Sequence, residues 1–318
     1  MDLKKELLRA IRENLAEGLL LSGGLDSSIL AYLVPEIKGI TVTLEEFGED
    51  KKYAKKVAKF LNIKWYHERI ELENAIKAIP KVIKILKSFD PAIPNDLAIF
   101  FGLKLAKENG IKTIMTADGA DELFAGYSYM HSMTADGADE LFAGYSYMHS
   151  FDLKEYLPAI ASSMNFSSNE LGRYLGVKIK QPYLNKRFIK FALSIPPDLK
   201  IKREKNKIWG KWILRKAFEE FLPEDIIWRK KMPIEQGSGF SRLRKIISSK
   251  ISDREFEKAQ RLPIRFRNKE HFYYYRIYQD VVGDIPLPKK NEKKCDGCGA
   301  GLPPQSSHCK VCGYCYNE

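Results

Sequence analysis

Residues 17–28 read EGLLLSGGLDSS. An apolar run that stops at a glycine pair and restarts as a helix specifies a buried strand, a tight loop and a helix in succession. Gly23 and Gly24 carry no Cβ, so their backbone amides can turn toward an anion. Ser22, Ser27, Ser28 and the first turn of the helix add donors at the same place. Asp26 adds a carboxylate, which tolerates a bound phosphate only with a cation between the two. The chain has no GxxxxGK(S/T) segment, so this anion loop is not of the Walker kind.

The next hundred residues repeat the alternation. KGITVTLEE (38–46), IKWYHERIEL (63–72) and IKTIMTADG (111–119) read as strands. DKKYAKKVAKFLN (50–62), ELENAIKAIPKVIKILKS (71–88) and NDLAIFFGLKLAKENG (95–110) read as helices, the second interrupted by Pro80 and the third closed by Gly110. Strands separated by helices predict an α/β fold: a parallel sheet with helices on both faces and a ligand at the C-terminal ends of the strands. From residue 151 the periodicity turns helical, as in NKIWGKWILRKAFEEFL (206–222) and KEHFYYYRIYQDVV (269–282). PLPKKNEKK (286–294) reads as an extended, solvated linker. The expected parts are therefore a nucleotide-binding α/β part over 1–150, a helical part over 151–285, the linker, and a separate cysteine-rich tail over 295–318.

All five cysteines of the 318-residue chain fall between Cys295 and Cys315, which leaves the main body without a thiol nucleophile. Cys295, Cys298, Cys309 and Cys312 form two CxxC pairs ten residues apart, the spacing of a zinc ribbon. A redox pair is the alternative, His308 is a neighbouring ligand candidate, and Cys315 is a spare. No apolar run approaches ~20 residues, so no membrane-spanning helix is expected. MDLKKELLRAIRENL lacks the apolar centre of a signal peptide, and the expected location is the cytoplasm. The net charge of +12 is compatible with an RNA partner and equally with a lysine-rich solvated surface.

The SGGLDSS loop resembles the PP-loop of the N-type ATP pyrophosphatases. Four further segments resemble the asparagine synthetases: TADGADELFAGY (116–127), LGVKIKQPYLNKRFIKFALSIPPDLKIK (175–202), WILRKAFEEFLPEDIIWRKK (212–231) and NKEHFYYYRIYQ (268–279). The resemblance covers roughly residues 15–285. It implies an ATP-dependent ligase that adenylates a carboxylate, releases PPi, and then forms an amide. It assigns Ser22, Gly23, Gly24, Asp26, Ser27, Ser28, Gly119 and Asp121 to the nucleotide, with Asp26 and Asp121 holding Mg²⁺. It places Asp118 where a glutamate usually activates the amine, and Lys231 and Arg229 beside the reacting groups. Thr43 and Leu44 follow from topology as the seat of adenine.

Two departures bear on the substrate. Lys178 and Lys180 stand where the family has a glutamate and an arginine, and two cations there suit an acidic partner or solvent. The chain opens Met1-Asp2, without the family's glutaminase cysteine, so ammonia is expected free or from a partner subunit, or else the nucleophile is a different amine, which can belong to the substrate itself. The rival reading is a tRNA-modifying PP-loop enzyme, favoured by the basic charge and the ribbon.

MTADGADELFAGYSYMHS occurs twice without a substitution, at 115–132 and 133–150. Eighteen extra residues in a surface loop cost little, since doubling a loop adds only ~0.6 kcal/mol of closure entropy. Only the first copy continues the strand IKTIM, so Asp121 is expected in the site. In the other register Asp136 and Asp139 take the roles.

Overall fold

The computed structural model describes residues 2–127, 157–158, 166–204, 207–306 and 308–316. The second copy of the repeat, with Asp136 and Asp139, lies outside the described residues. The chain begins with α1 (Leu3–Arg12), β1 (Gly18–Leu20), α2 (Leu25–Leu33), β2 (Lys38–Leu44), α3 (Asp50–Phe60) and β3 (Trp65–Ile70). It continues with α4 (Leu72–Leu86), α5 (Ile93–Glu108), β4 (Thr113–Met115), α6 (Ser167–Leu175) and β5 (Lys178–Lys180). The five strands form one parallel sheet in the order β3-β2-β1-β4-β5.

Side-chain alternation decides which face each strand residue serves. Leu19 and Leu21 enter the core beneath α1, α2 and α3, while Leu20 packs on the opposite core, formed with α4, α5 and α6. Met115 joins the first core and Ile114 the second. Each fully buried leucine contributes roughly 1.5–3 kcal/mol, so the register of these short strands is strongly determined. Pro80 lies inside α4, and Gly110 follows α5 at φ +72°.

The later chain holds α7 (Lys186–Ser194), a β6–β7 hairpin (Ile201–Glu204 and Lys207–Gly210), α8 (Trp212–Phe218), α9 (Arg242–Ser248), α10 (Asp253–Ala259) and α11 (Lys269–Val281). Two expectations are corrected here. Residues 207–210 are a strand, and the helix starts only at Trp212, because Lys211 adopts φ +57° and breaks the run. The segment after α6 supplies a fifth parallel strand, in which Ile179 alternates with Lys178 and Lys180.

The cysteine segment carries β8 (Lys293–Lys294) and β9 (Gly301–Leu302). Cys295, Cys298, Leu302, Cys309 and Cys312 are buried in the same cluster as Phe89, Tyr275 and Tyr278. Backbone bonds from Phe89 N to Val311 O and from Arg265 N to Gly297 O, both 2.7 Å, fasten it to the body. Among the described residues, no helix is long and apolar enough to cross a membrane.

Candidate active site

The strand order reverses direction between β1 and β4, the point at which open α/β sheets leave a crevice. The loops that leave these strands, 21–28 and 116–121, therefore face one another. They line a cleft of about 620 Å³. Gly23 has φ +67°, and a Cβ there would overlap the backbone of Tyr53 and Ala54 on α3. Glycine is thus required both for the turn and for the approach of α3. Ser22, Gly24, Asp26 and Ser27 line the cleft, with Ser22 Oγ and Ser27 Oγ 3.2 Å apart. Ser28 is fully buried behind them.

Asp26 and Asp121 converge on one cation, the ammonium group of Lys211. Lys211 Nζ bonds Asp26 Oδ2 and stands 2.8 Å from Asp121 Oδ1. Its side chain is 3% exposed. Lys231 Nζ donates to Asp121 Oδ2 at 2.8 Å. Burial opposes ionisation of Asp121, but Lys211 and Lys231 outweigh it and lower its pKa to about 2. Burial likewise works against the charged form of Lys231, and the carboxylates of Asp121 and Asp26 reverse that, so its pKa is raised.

Asp118 also faces the cleft. Its Oδ2 accepts from Thr116 Oγ1 and Ser168 Oγ at 2.7 Å and from Gln181 Nε2 at 2.8 Å. Gly119 sits beside it at φ +90°. Arg229 ties the glycine loop to α3: Nη1 donates to Ser22 O at 3.0 Å and Nη2 to Asp50 Oδ1 at 2.9 Å, with the guanidinium over the ring of Tyr53. Asp50 is nonetheless raised to about 6, since burial exceeds the pull of Arg229.

The structure thus brings Asp26, Asp118, Gly119, Asp121, Arg229 and Lys231 together around the loop. It does not bring in Thr43 or Leu44. Thr43 bonds His67 of β3, and Leu44 is fully buried with its amide on Ser238 O. Earlier on β2, Ile40, Thr41 and Val42 line the cleft instead. Lys178 and Lys180 sit on the edge strand β5 and do not line it.

Sequence reasoning missed Lys211. Its only signal is a lysine after Gly210 at the head of a helix, which no periodicity separates from a surface lysine. Gly126 was missed as well: a Cβ there would overlap both Asp121 Oδ1 and Lys211 Cε.

Two sets of residues fit metals. Asp26 Oδ1 is buried without a hydrogen-bond partner among the described residues. With Asp121 it offers hard oxygen donors of the kind Mg²⁺ takes. The four cysteine sulfurs all lie within 4.8 Å of one another. The Cys295–Cys312 and Cys298–Cys309 pairs are 3.7 and 3.8 Å apart. A tetrahedron with ~2.3 Å metal–sulfur bonds has edges of about 3.8 Å, so the cluster has the dimensions of a four-thiolate site.

The asparagine synthase family model matches residues 3–135 and 151–278. A probable glutamine-hydrolyzing asparagine synthetase of Dictyostelium discoideum is 29% identical over 326 residues, covering 92% of this chain and 57% of the relative. A glutamine-hydrolyzing asparagine synthetase of Lotus japonicus is 27% identical, covering 86% of this chain and 49% of its own length. The chain spans about half the length of the curated relatives it matches. Among solved structures, the U34-tRNA thiolase NcsA of Methanococcus maripaludis, with its [4Fe-4S] cluster, aligns over 98% of this chain and 88% of its own at 15% identity and a TM-score of 0.35. NMN synthetase of Francisella tularensis aligns over 91% of this chain and 99% of its own, at 14% identity and a TM-score of 0.30.

Proposed function

The chain belongs to the asparagine synthase family, and we propose that it is an ATP-dependent, AMP-forming ligase that joins a carboxylate to an amine. The observation that carries this reading is the meeting of Asp26, from the loop after β1, with Asp121, from the loop after β4, around Lys211 and Lys231. Two carboxylates and two ammonium groups in one cleft match a substrate that brings both negative charge and a divalent ion.

In this reading the amides of the glycine loop, with Lys211, hold the β- and γ-phosphates. Asp26 and Asp121 would hold Mg²⁺, which when bound offsets the charge that builds on the departing pyrophosphate. A carboxylate oxygen attacks the α-phosphorus, and the bond to pyrophosphate breaks. An amine then attacks the acyl carbon, gives up a proton, and AMP leaves. Lys231 sits beside Asp121, where it can neutralise the acyl-adenylate. Among the described residues, the three bonds to Asp118 all end on Oδ2, and Oδ1 is the oxygen that would receive the incoming amine. Arg229 acts through the loop it pins. Donors fixed before the reaction cost no reorganisation during it. Cys295, Cys298, Cys309 and Cys312 would hold a structural Zn²⁺, with no part in the chemistry.

The test follows AMP and PPi release from the protein with ATP and Mg²⁺, given amino acids with ammonium salts in one arm and bulk tRNA in the other. Equal AMP and PPi that depend on a carboxylate and an amine support the ligase. Turnover only with tRNA replaces it with base modification.

A further inference from the structure

The cleft does not end at the nucleotide loops. Ala98 and Ile99 of α5 line it as well, and so do His308 and Lys310 of the cysteine segment. This segment lies outside residues 3–135 and 151–278, which the family model covers. It also fixes the neighbouring wall. Phe89 N donates to Val311 O at 2.7 Å, and Ser88 Oγ to the same carbonyl at 3.4 Å. His308 Nε2 lies 3.0 Å from Asp90 Oδ2. Asp90 in turn holds the amide of Ala92 at 2.8 Å, at the start of α5. A Cβ on Gly313 would press on the Asp90 carboxylate, at 2.7 Å from Oδ1, so the two segments are in close contact.

The part of the cleft beside the cysteine segment carries carboxylates together with His308 and Lys310. Asp96 and Glu170 line it, and among the described residues neither is paired with a basic side chain. Asp96 is 8% exposed. Burial, more than its bond to Ser167, sets its proton affinity, and the charges of Asp90 and Glu170 push the same way, raising its pKa to about 7.

We infer that the cysteine module is the outer wall of the acceptor end of the cleft, and that this end receives an organic amine larger than ammonia. The inference rests on the ligase reading. Lys310 and His308 bound the space, while Asp96 and Glu170 take the ammonium group before it moves toward Asp118. The module selects the acceptor, and its metal holds the Ser88–Ala92 wall in place.

The experiment is calorimetric binding to the full chain with a non-hydrolysable ATP analogue and Mg²⁺ present. The probes are putrescine and agmatine, against ammonium chloride and glutarate at equal ionic strength. Saturable binding of a cationic probe is expected in the wild type, and at least tenfold weaker binding in Asp96→Asn and in Glu170→Gln. Removing the thiolate-bound metal with a chelator, with Mg²⁺ restored afterwards, is expected to weaken the amine and leave the nucleotide unchanged. Hydrogen exchange across residues 86–96 reports the wall without relying on activity, and is expected to quicken on metal removal. Nucleotide binding without any amine binding, or amine binding indifferent to both substitutions, overturns the inference and spares the ligase. Loss of Mg²⁺-dependent nucleotide binding in the wild type overturns the ligase reading itself.

Discussion

Lys211 occupies the place where two carboxylates would otherwise face each other, and replacing it is the most direct probe of the site. In Lys211→Met the volume is nearly kept, but Asp26 and Asp121, at 13% and 11% side-chain exposure, lose the cation between them. Removing one partner of a buried ion pair costs about 3–5 kcal/mol. Lys231 still answers Asp121, which places the expected loss near the lower end, about 3 kcal/mol. At roughly 2–4 °C per kcal/mol this is a fall of about 6–12 °C in Tm. The same change leaves two buried carboxylates suited to a divalent ion. Mg²⁺ at a hundredfold excess over its Kd then returns about 2.7 kcal/mol. Thermal unfolding across a MgCl₂ titration, without nucleotide, compares the two proteins. A strongly rescued variant beside a nearly indifferent wild type is the expected result. Equal dependence in both shows that Lys211 does not compete for the ion, and no dependence in the variant refutes the view that Asp26 and Asp121 form one cation site.

Three other outcomes are expected. Asp96 has its folded pKa raised from 3.8 to about 7, so its contribution is complete below about pH 4 and is lost as pH rises through 7. Urea unfolding should therefore show the wild type losing up to about 4 kcal/mol relative to Asp96→Asn between pH 4 and pH 8, at 1.36 kcal/mol per unit. Gly126→Ala should lower nucleotide affinity at least tenfold in a titration, because the new methyl group displaces Asp121 and Lys211 together. Cys298→Ser should reduce bound metal, measured by atomic absorption, and lower Tm, whereas Cys315→Ser should leave the metal content unchanged.

The first half of the fold was readable because strand and helix periods there are clean, and each helix has its own stop signal. Gly110 ends one helix, and the glycine pair ends the first strand. The second half misled at 206–222, where the apolar spacing of Ile208, Trp209 and Trp212 suits a helix but backbone pairing with residues 201–204 wins. Asp26 was legible from its glycine loop, and Asp118 and Asp121 from the resemblance of TADGADELFAGY to the family's loop; all three line one cleft. Lys211 was not, because its importance comes from a left-handed residue and a partner 185 positions away. Thr43 and Leu44 were placed by analogy of topology, and the bond of Thr43 to His67 and the cover that Ser238 gives Leu44 keep them out of the cleft. The packing of the cysteine module on Phe89 left no local pattern at all, since it depends on residues more than two hundred positions apart.

The order in which the charges leave the ribosome follows from this layout. Asp26, Asp118 and Asp121 are synthesised long before Lys211 and Lys231. A growing chain that has reached only β4 can pair its strands, yet it carries an acidic crevice with nothing to quench it. Chains fold from the N-terminus as they emerge, so the sheet's carboxylate edge has to wait, open and repulsive, for the returning hairpin. Until then a free divalent ion is the one available stand-in, and the nascent protein should depend on magnesium more than the finished one does.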